Sequence, residues 1–237
     1  MNEPTEGKAG VIECVGVLEA MAATATGSVR TRMNFSFHHL MAAARLARAV
    51  ADIEQRNAGQ EFGAFYEIIL GSSLGCIVLS LAAAEAYVNE LFADRAEHFP
   101  ARDAMLLDLL WKDYEEQRLL DKFDLAHRLR AGTPIDRGTA HVQAMDRLTK
   151  LRNGIAHFKP EWDDEAANHE KLSKQLEGYV ARSPWLPNEL LFPRAWATTG
   201  TAAWAISTVL TFVAKFSDST GLPDRFGPHK ERFAAGI

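Results

Sequence analysis

Between Glu67 and Glu85 the chain runs from Ile68 to Ala84 without a single charge. Such a run must be taken out of water on most sides, so it dictates what the rest of the chain can be. As a helix it would span roughly 25 Å, short of the ~30 Å hydrocarbon core of a bilayer. It is also interrupted by Gly71, Ser72, Ser73, Gly75 and Ser80. A second uncharged run, Ala195 to Ala214, is about 30 Å long as a helix but rich in threonine. Two readings fit these runs: central helices of a bundle, or membrane spans. Length favours the bundle, and the first run keeps the membrane alternative alive.

The remaining sequence supplies helices to cover them. Helical periodicity begins near Ser28 and ends at Asn57-Ala58-Gly59. A long helix is expected from Glu61 to His98, stopped by Pro100. Another is expected from Asp103, a plausible N-cap, to Arg130, with Gly132 and Pro134 beyond it. Its Leu106, Leu107, Leu110, Leu119, Leu120 and Phe123 recur at helical spacing. Further helices are expected over Thr139 to Pro160, Asp163 to Ala181 and Arg194 to Ser217, with a proline-rich loop at residues 183–193. After residue 28 no segment alternates like a strand, and Asn153-Gly154 lies inside a helical pattern rather than a hairpin. The expected fold is all-α, a single helical bundle of about four core helices plus C-terminal helices, covering residues 28–220. Residues 221–237 read as a loose tail. In residues 1–27, Val11 to Leu18 reads equally as a short strand or a helix start.

Several chemistries lose their footing. Lys and Arg total 26 against 31 Asp and Glu, a net charge of −5 that excludes a globally basic nucleic-acid binder. Two cysteines, Cys14 and Cys76, make at most one disulfide and cannot build a cysteine-rich zinc site. The N-terminus has neither the basic start nor the apolar core of a secretory signal, and the expected location is cytoplasmic. No phosphate-binding glycine loop, HExxH or nucleophile elbow is present. No glutamate stands three residues before any histidine, as a helical di-iron centre needs; Asp124-x-x-His127 is the nearest approach. No metal or cofactor is expected. His38-His39, in an aromatic setting, reads as a packing feature.

The informative stretch is Leu148-Thr-Lys-Leu-Arg-Asn-Gly-Ile-Ala-His-Phe-Lys-Pro160. Met145, Leu148, Leu151, Ile155 and Phe158 form one apolar helix stripe. Asn153 and His157 fall on the opposite face, four residues apart. Arg152 lies roughly 140° around the helix from His157, so one helix does not readily aim both at one atom. Two copies related by a two-fold axis would pool them. Pro160 puts His157 in the last turn, where the negative helix end favours a protonated imidazole. A histidine beside an arginine suits phosphodiester chemistry, one moving a proton and the other holding phosphate charge. The same residues equally serve to cap helix carbonyls.

Leu151-Arg152-Asn153-Gly154-Ile155-Ala156-His157-Phe158 resembles the motif of the HEPN superfamily, an Arg and a His separated by four to six residues with a polar residue after the Arg. Leu81-Ala-Ala-Ala-Glu85-Ala-Tyr87-Val-Asn89-Glu90-Leu-Phe92 resembles an earlier core helix of bacterial members. The similarity spans about Ser28 to Phe158. It implies an all-α homodimer whose two motifs face each other across a cleft. Active members are metal-independent RNA endonucleases, in which the 2′-hydroxyl attacks the adjacent phosphate and leaves a cyclic phosphate and a 5′-hydroxyl. By position, Arg152 would polarise the phosphate, Asn153 would orient it or the imidazole, and His157 would act as general acid or base. Glu85 would pair with Arg152, or else lie free in solvent. Many members are toxins paired with a nucleotidyltransferase-like antitoxin, or act in phage defence. Others are non-catalytic modules that bind a nucleotide, RNA or a protein, which is the alternative for this chain.

The charge pattern bears on partners. From His127 to Pro160 there are seven cations, among them Arg147, Lys150 and Lys159, against only Asp136 and Asp146. Such a patch can track an RNA backbone or be a solvated face. Glu161, Asp163, Asp164 and Glu165 follow directly, which narrows any groove to a loop or single strand.

Overall fold

A computed structural model gives the fold, and it describes residues 32–162 and 165–234. The chain divides into Met1–Asn34 and Phe35–Ile237. In the first unit only residues 32–34 are described, without regular structure. Val11 to Leu18 and the expected helix start at Ser28 lie outside the described residues.

The second unit is all-α, with no strand among the described residues. Its helices are α1 (Ser36–Arg56), α2 (Phe65–Ala93), the short α3 (Arg95–His98), α4 (Ala104–Tyr114), α5 (Leu119–Ala131), α6 (Ala140–Ala156), α7 (Ala167–Leu176), α8 (Thr199–Thr220) and the short α9 (Lys230–Ala234). Both uncharged runs become central helices. The first lies within α2, which packs against α1, α5, α6 and α8. This helix is long and apolar enough to cross a membrane, yet the bundle covers much of it. The second run lies within α8, which buries Ala202, Ala205, Ile206, Val209, Phe212 and Val213.

The α1–α2 pair is the tightest in the fold. Leu40, Ala43, Ala44, Ala47 and Val50 form the buried stripe of α1, and its alanines let α2 come close. On α2, a Cβ added to Gly75 would lie 2.6 Å from Leu46 Cδ1, inside van der Waals contact. The pair is fastened at one end by Glu90. Its buried carboxylate accepts the Ser36 N–H at 2.8 Å and the Ser36 hydroxyl at 2.7 Å, so a charge on α2 caps the first turn of α1. Arg225 donates to the same carboxylate at 3.0 Å.

That last contact revises the reading of residues 221–237. Residues 221–233 are packed onto the bundle: Leu222, Phe226 and Phe233 are buried, and the Tyr87 hydroxyl donates to the Pro223 carbonyl at 2.7 Å.

The helix expected from Asp103 to Arg130 is two helices. Asp103 does cap, accepting the Leu106 N–H at 2.9 Å. The break at residues 115–118 follows from helical phase. Leu110 and Leu119 are nine residues apart, so a straight helix would put their stripes on opposite faces. The chain turns instead, and both stripes reach the core. Trp111 of α4 stacks on Phe92 at 4.2 Å, and Phe123 of α5 stacks on Tyr87.

Buried and exposed ion pairs should separate in energy. Replacing Glu90 with alanine leaves two Ser36 donors unserved and Arg225 with Asp94 at 3.5 Å in place of its 3.0 Å partner, and should cost about 3 kcal/mol in urea unfolding. Replacing Asp108, the exposed partner of Arg95, should cost under about 1 kcal/mol. Equal losses would disprove the role assigned to Glu90.

Candidate functional site

Helix α6 is held by Val142, Met145, Leu148 and Leu151, all buried, with Ile155 half-buried. Phe158 leaves the stripe: it follows the helix end and is 49 % exposed. The helix stops at Ala156, four residues before Pro160, and His157 is its C-terminal capping residue, its N–H bonded to the Asn153 carbonyl at 2.9 Å. Asn153 and His157 are exposed and Arg152 is half-buried. Among the described residues, none of these three side chains makes a hydrogen bond or an ion pair, so neither Arg152 nor His157 caps a carbonyl.

Their freedom stands out against the other cations. Arg147 and Lys150 both pair with Asp146, at 3.1 and 2.8 Å. Arg128 pairs with Asp124, Arg137 with Asp121, and Arg130 donates to the carbonyls of His98 and Thr220. Of the seven cations in residues 127–160, Arg152 and Lys159 are left uncommitted among the described residues. Five of the seven cations are therefore engaged within the protein, and three carboxylates offset four of them.

Glu85 has a different partner from the one expected. Its carboxylate accepts from Lys122 Nζ at 2.9 Å, and Lys122, only 3 % exposed, also reaches Asn89 Oδ1 at 3.4 Å. A buried ammonium requires a counter-charge more than a half-buried arginine does, so Glu85 goes to Lys122 and does not set the Arg152 side chain.

Beyond α6 the chain is organised by residues that sequence reasoning did not single out. Glu161 reaches the start of α7, where its carboxylate accepts the N–H groups of Asn168 and His169 at 3.1 Å each, and the Asn168 side-chain amide. The Asn168 amide foremost, with those backbone donors and His169, holds the Glu161 carboxyl below the ordinary glutamate range. His169, 6 % exposed, is packed between Phe158 and Phe192 at 5.4 and 5.2 Å, and its Nε2 donates to the Lys159 carbonyl at 2.9 Å. A carbonyl only accepts, which fixes the proton on Nε2.

Gly154 explains how α6, α7 and the segment at Phe192 meet. A Cβ there would lie 2.6 Å from Leu172 Cδ2 and 3.3 Å from the Phe192 ring. The result is a depression of about 240 Å³ lined by His157, Lys159, Glu161, Asn168 and His169 over Leu172 and Phe192. Arg152 and Asn153 do not line it. No group of three or more His, Cys, Asp or Glu side chains among the described residues is placed to hold a metal ion. Comparison with protein-family models, with curated proteins and with solved structures returned no match.

Two outcomes follow from this geometry. Gly154→Ala would gain up to about 1 kcal/mol in helix propensity, but overpacking typically costs about 1–3 kcal/mol. The net effect should be a lower thermal midpoint, and a rise would show that Leu172 and Phe192 yield freely. Because the Glu161 carboxyl is depressed, its hold on α7 is complete above the ordinary glutamate range and is lost as pH falls through the lowered value. The amide resonances of Asn168 and His169 should therefore titrate together in acid, and should stop doing so in Glu161→Gln.

Proposed function

We propose that this chain is a metal-independent RNA endonuclease of HEPN type, acting in the cytoplasm as a homodimer on single-stranded or looped RNA. One observation carries this reading. Arg152, Asn153 and His157 remain uncommitted at the exposed end of α6, while nearly all the cations around them are spent on the protein.

The chemistry follows from the groups. The RNA 2′-hydroxyl attacks the adjacent phosphorus, its O–P bond forms, and the P–O5′ bond breaks to leave a 2′,3′-cyclic phosphate and a 5′-hydroxyl. An imidazole at His157 takes the 2′ proton or delivers one to the departing 5′ oxygen. The Arg152 guanidinium holds charge on the non-bridging oxygens, and Asn153 orients them. Because Arg152 is turned away from the depression at His157, a second copy would supply the complementary half of the site. A nucleotidyltransferase-like antitoxin is the partner this reading would bring.

His157→Ala should lower cleavage of an unstructured RNA at least about 100-fold, while the circular dichroism spectrum is unchanged because the ring packs on nothing. The products should carry cyclic phosphate ends. Cleavage untouched by the substitution would end the proposal. A protein that binds RNA or nucleotide tightly, without turnover and dependent on Arg152, would instead be a non-catalytic binding module.

A further inference from the structure

The depression beside His157 has features that phosphodiester chemistry alone does not use. It is lined by two basic groups, His157 and Lys159, and by the apolar side chains of Leu172 and Phe192. The Glu161 carboxylate also lines it and repels an anion, so phosphate belongs with Lys159 and His157 and a neutral group beside Glu161 and Asn168. The lining also presents an acceptor in a known orientation. An ionised carboxylate only accepts hydrogen bonds, so Glu161 turns the Asn168 Nδ2 toward itself. That leaves Asn168 Oδ1 without a donor among the described residues. At about 240 Å³ the space is below the ~300–1,000 Å³ of pockets for drug-sized ligands, so it takes a single planar base. The buried His169, tied through Nε2 to the Lys159 carbonyl, is a fixed wall of this space.

We propose that this depression is a subsite for a single unpaired nucleotide: its phosphate at Lys159 and His157, its base over Leu172 and Phe192, and a donor on the base edge bonded to Asn168 Oδ1. The base must be unpaired, because a duplex has already used its edge donors. The inference rests on the ribonuclease reading only for its choice of ligand, since the recognition itself needs no turnover.

The test is a titration of the intact protein, followed through the ring resonances of His157 and His169. Three probes are compared: inorganic phosphate, adenosine 3′-monophosphate, and purine riboside 3′-monophosphate, which lacks the 6-amino donor. Both histidines should respond to the adenosine nucleotide, which should bind about tenfold more tightly than phosphate. Removing the amino group should lose several-fold of that affinity. Asn168→Ala should erase the difference between the two nucleotides while phosphate affinity stays. The comparison in the unsubstituted protein stands even if that variant loosens α7. Equal affinity for phosphate and nucleotide, or a response at His157 without one at His169, would overturn the subsite. The two readings fail separately. RNA cleavage that needs His157, with no preference for nucleotide over phosphate, keeps the nuclease and removes the subsite. Nucleotide preference without cleavage does the reverse.

Discussion

The architecture hangs on a carboxylate that has been taken almost out of water. Such a charge is tolerated only where donors replace its hydration, and Glu90 has three, from the backbone and hydroxyl of Ser36 and from Arg225. These bonds set where α1 begins against α2 and bring the C-terminal segment onto the same spot. With that end fixed and Gly75 admitting Leu46 along the pair, α1 and α2 form one slab. Helices α6 and α8 pack on it, and α6 presents its last turn to solvent because its stripe is used up by Leu151 and Ile155.

What lies at that exposed end is a consequence of a missing side chain. Gly154 lets Leu172 and Phe192 approach α6 from below, and the depression beside His157 lies over them. Glu161 and His169 then tie the loop to α7, so that Lys159 is carried on a segment held at both ends. Asn153 and His157 are left unpaired while Glu161 and His169 below them are bonded. That division of labour suits a site whose side chains must meet a ligand without dragging the loop with them.

The main lines of the fold were legible because burial imposes periodicity. The uncharged runs marked α2 and α8, the stripe from Met145 to Ile155 marked α6, and the polar face with Asn153 and His157 came out on the expected side. The failures have equally physical causes. The α4–α5 break lacks any glycine or proline, and only the half-turn phase slip between Leu110 and Leu119 betrays it. The packing of Phe226 and Phe233 was hidden by the turn residues Gly221, Pro223, Gly227 and Pro228 around them. Glu85 was assigned to Arg152 because nothing in one dimension shows that Lys122 is buried beside it. Glu161 reads in sequence as one more acid, since its partners lie across a loop where helical spacing carries no information.

The Glu90 contact also has a consequence for the order in which the molecule is made. Arg225 lies 135 residues after Glu90. On a ribosome the α1–α2 hairpin therefore emerges long before its guanidinium partner, with the carboxylate served by Ser36 alone. The hairpin can form early, but its charge balance is completed only once residue 225 has been made. Until then the nascent chain carries a carboxylate without its guanidinium at the place where residues 222–233 will dock.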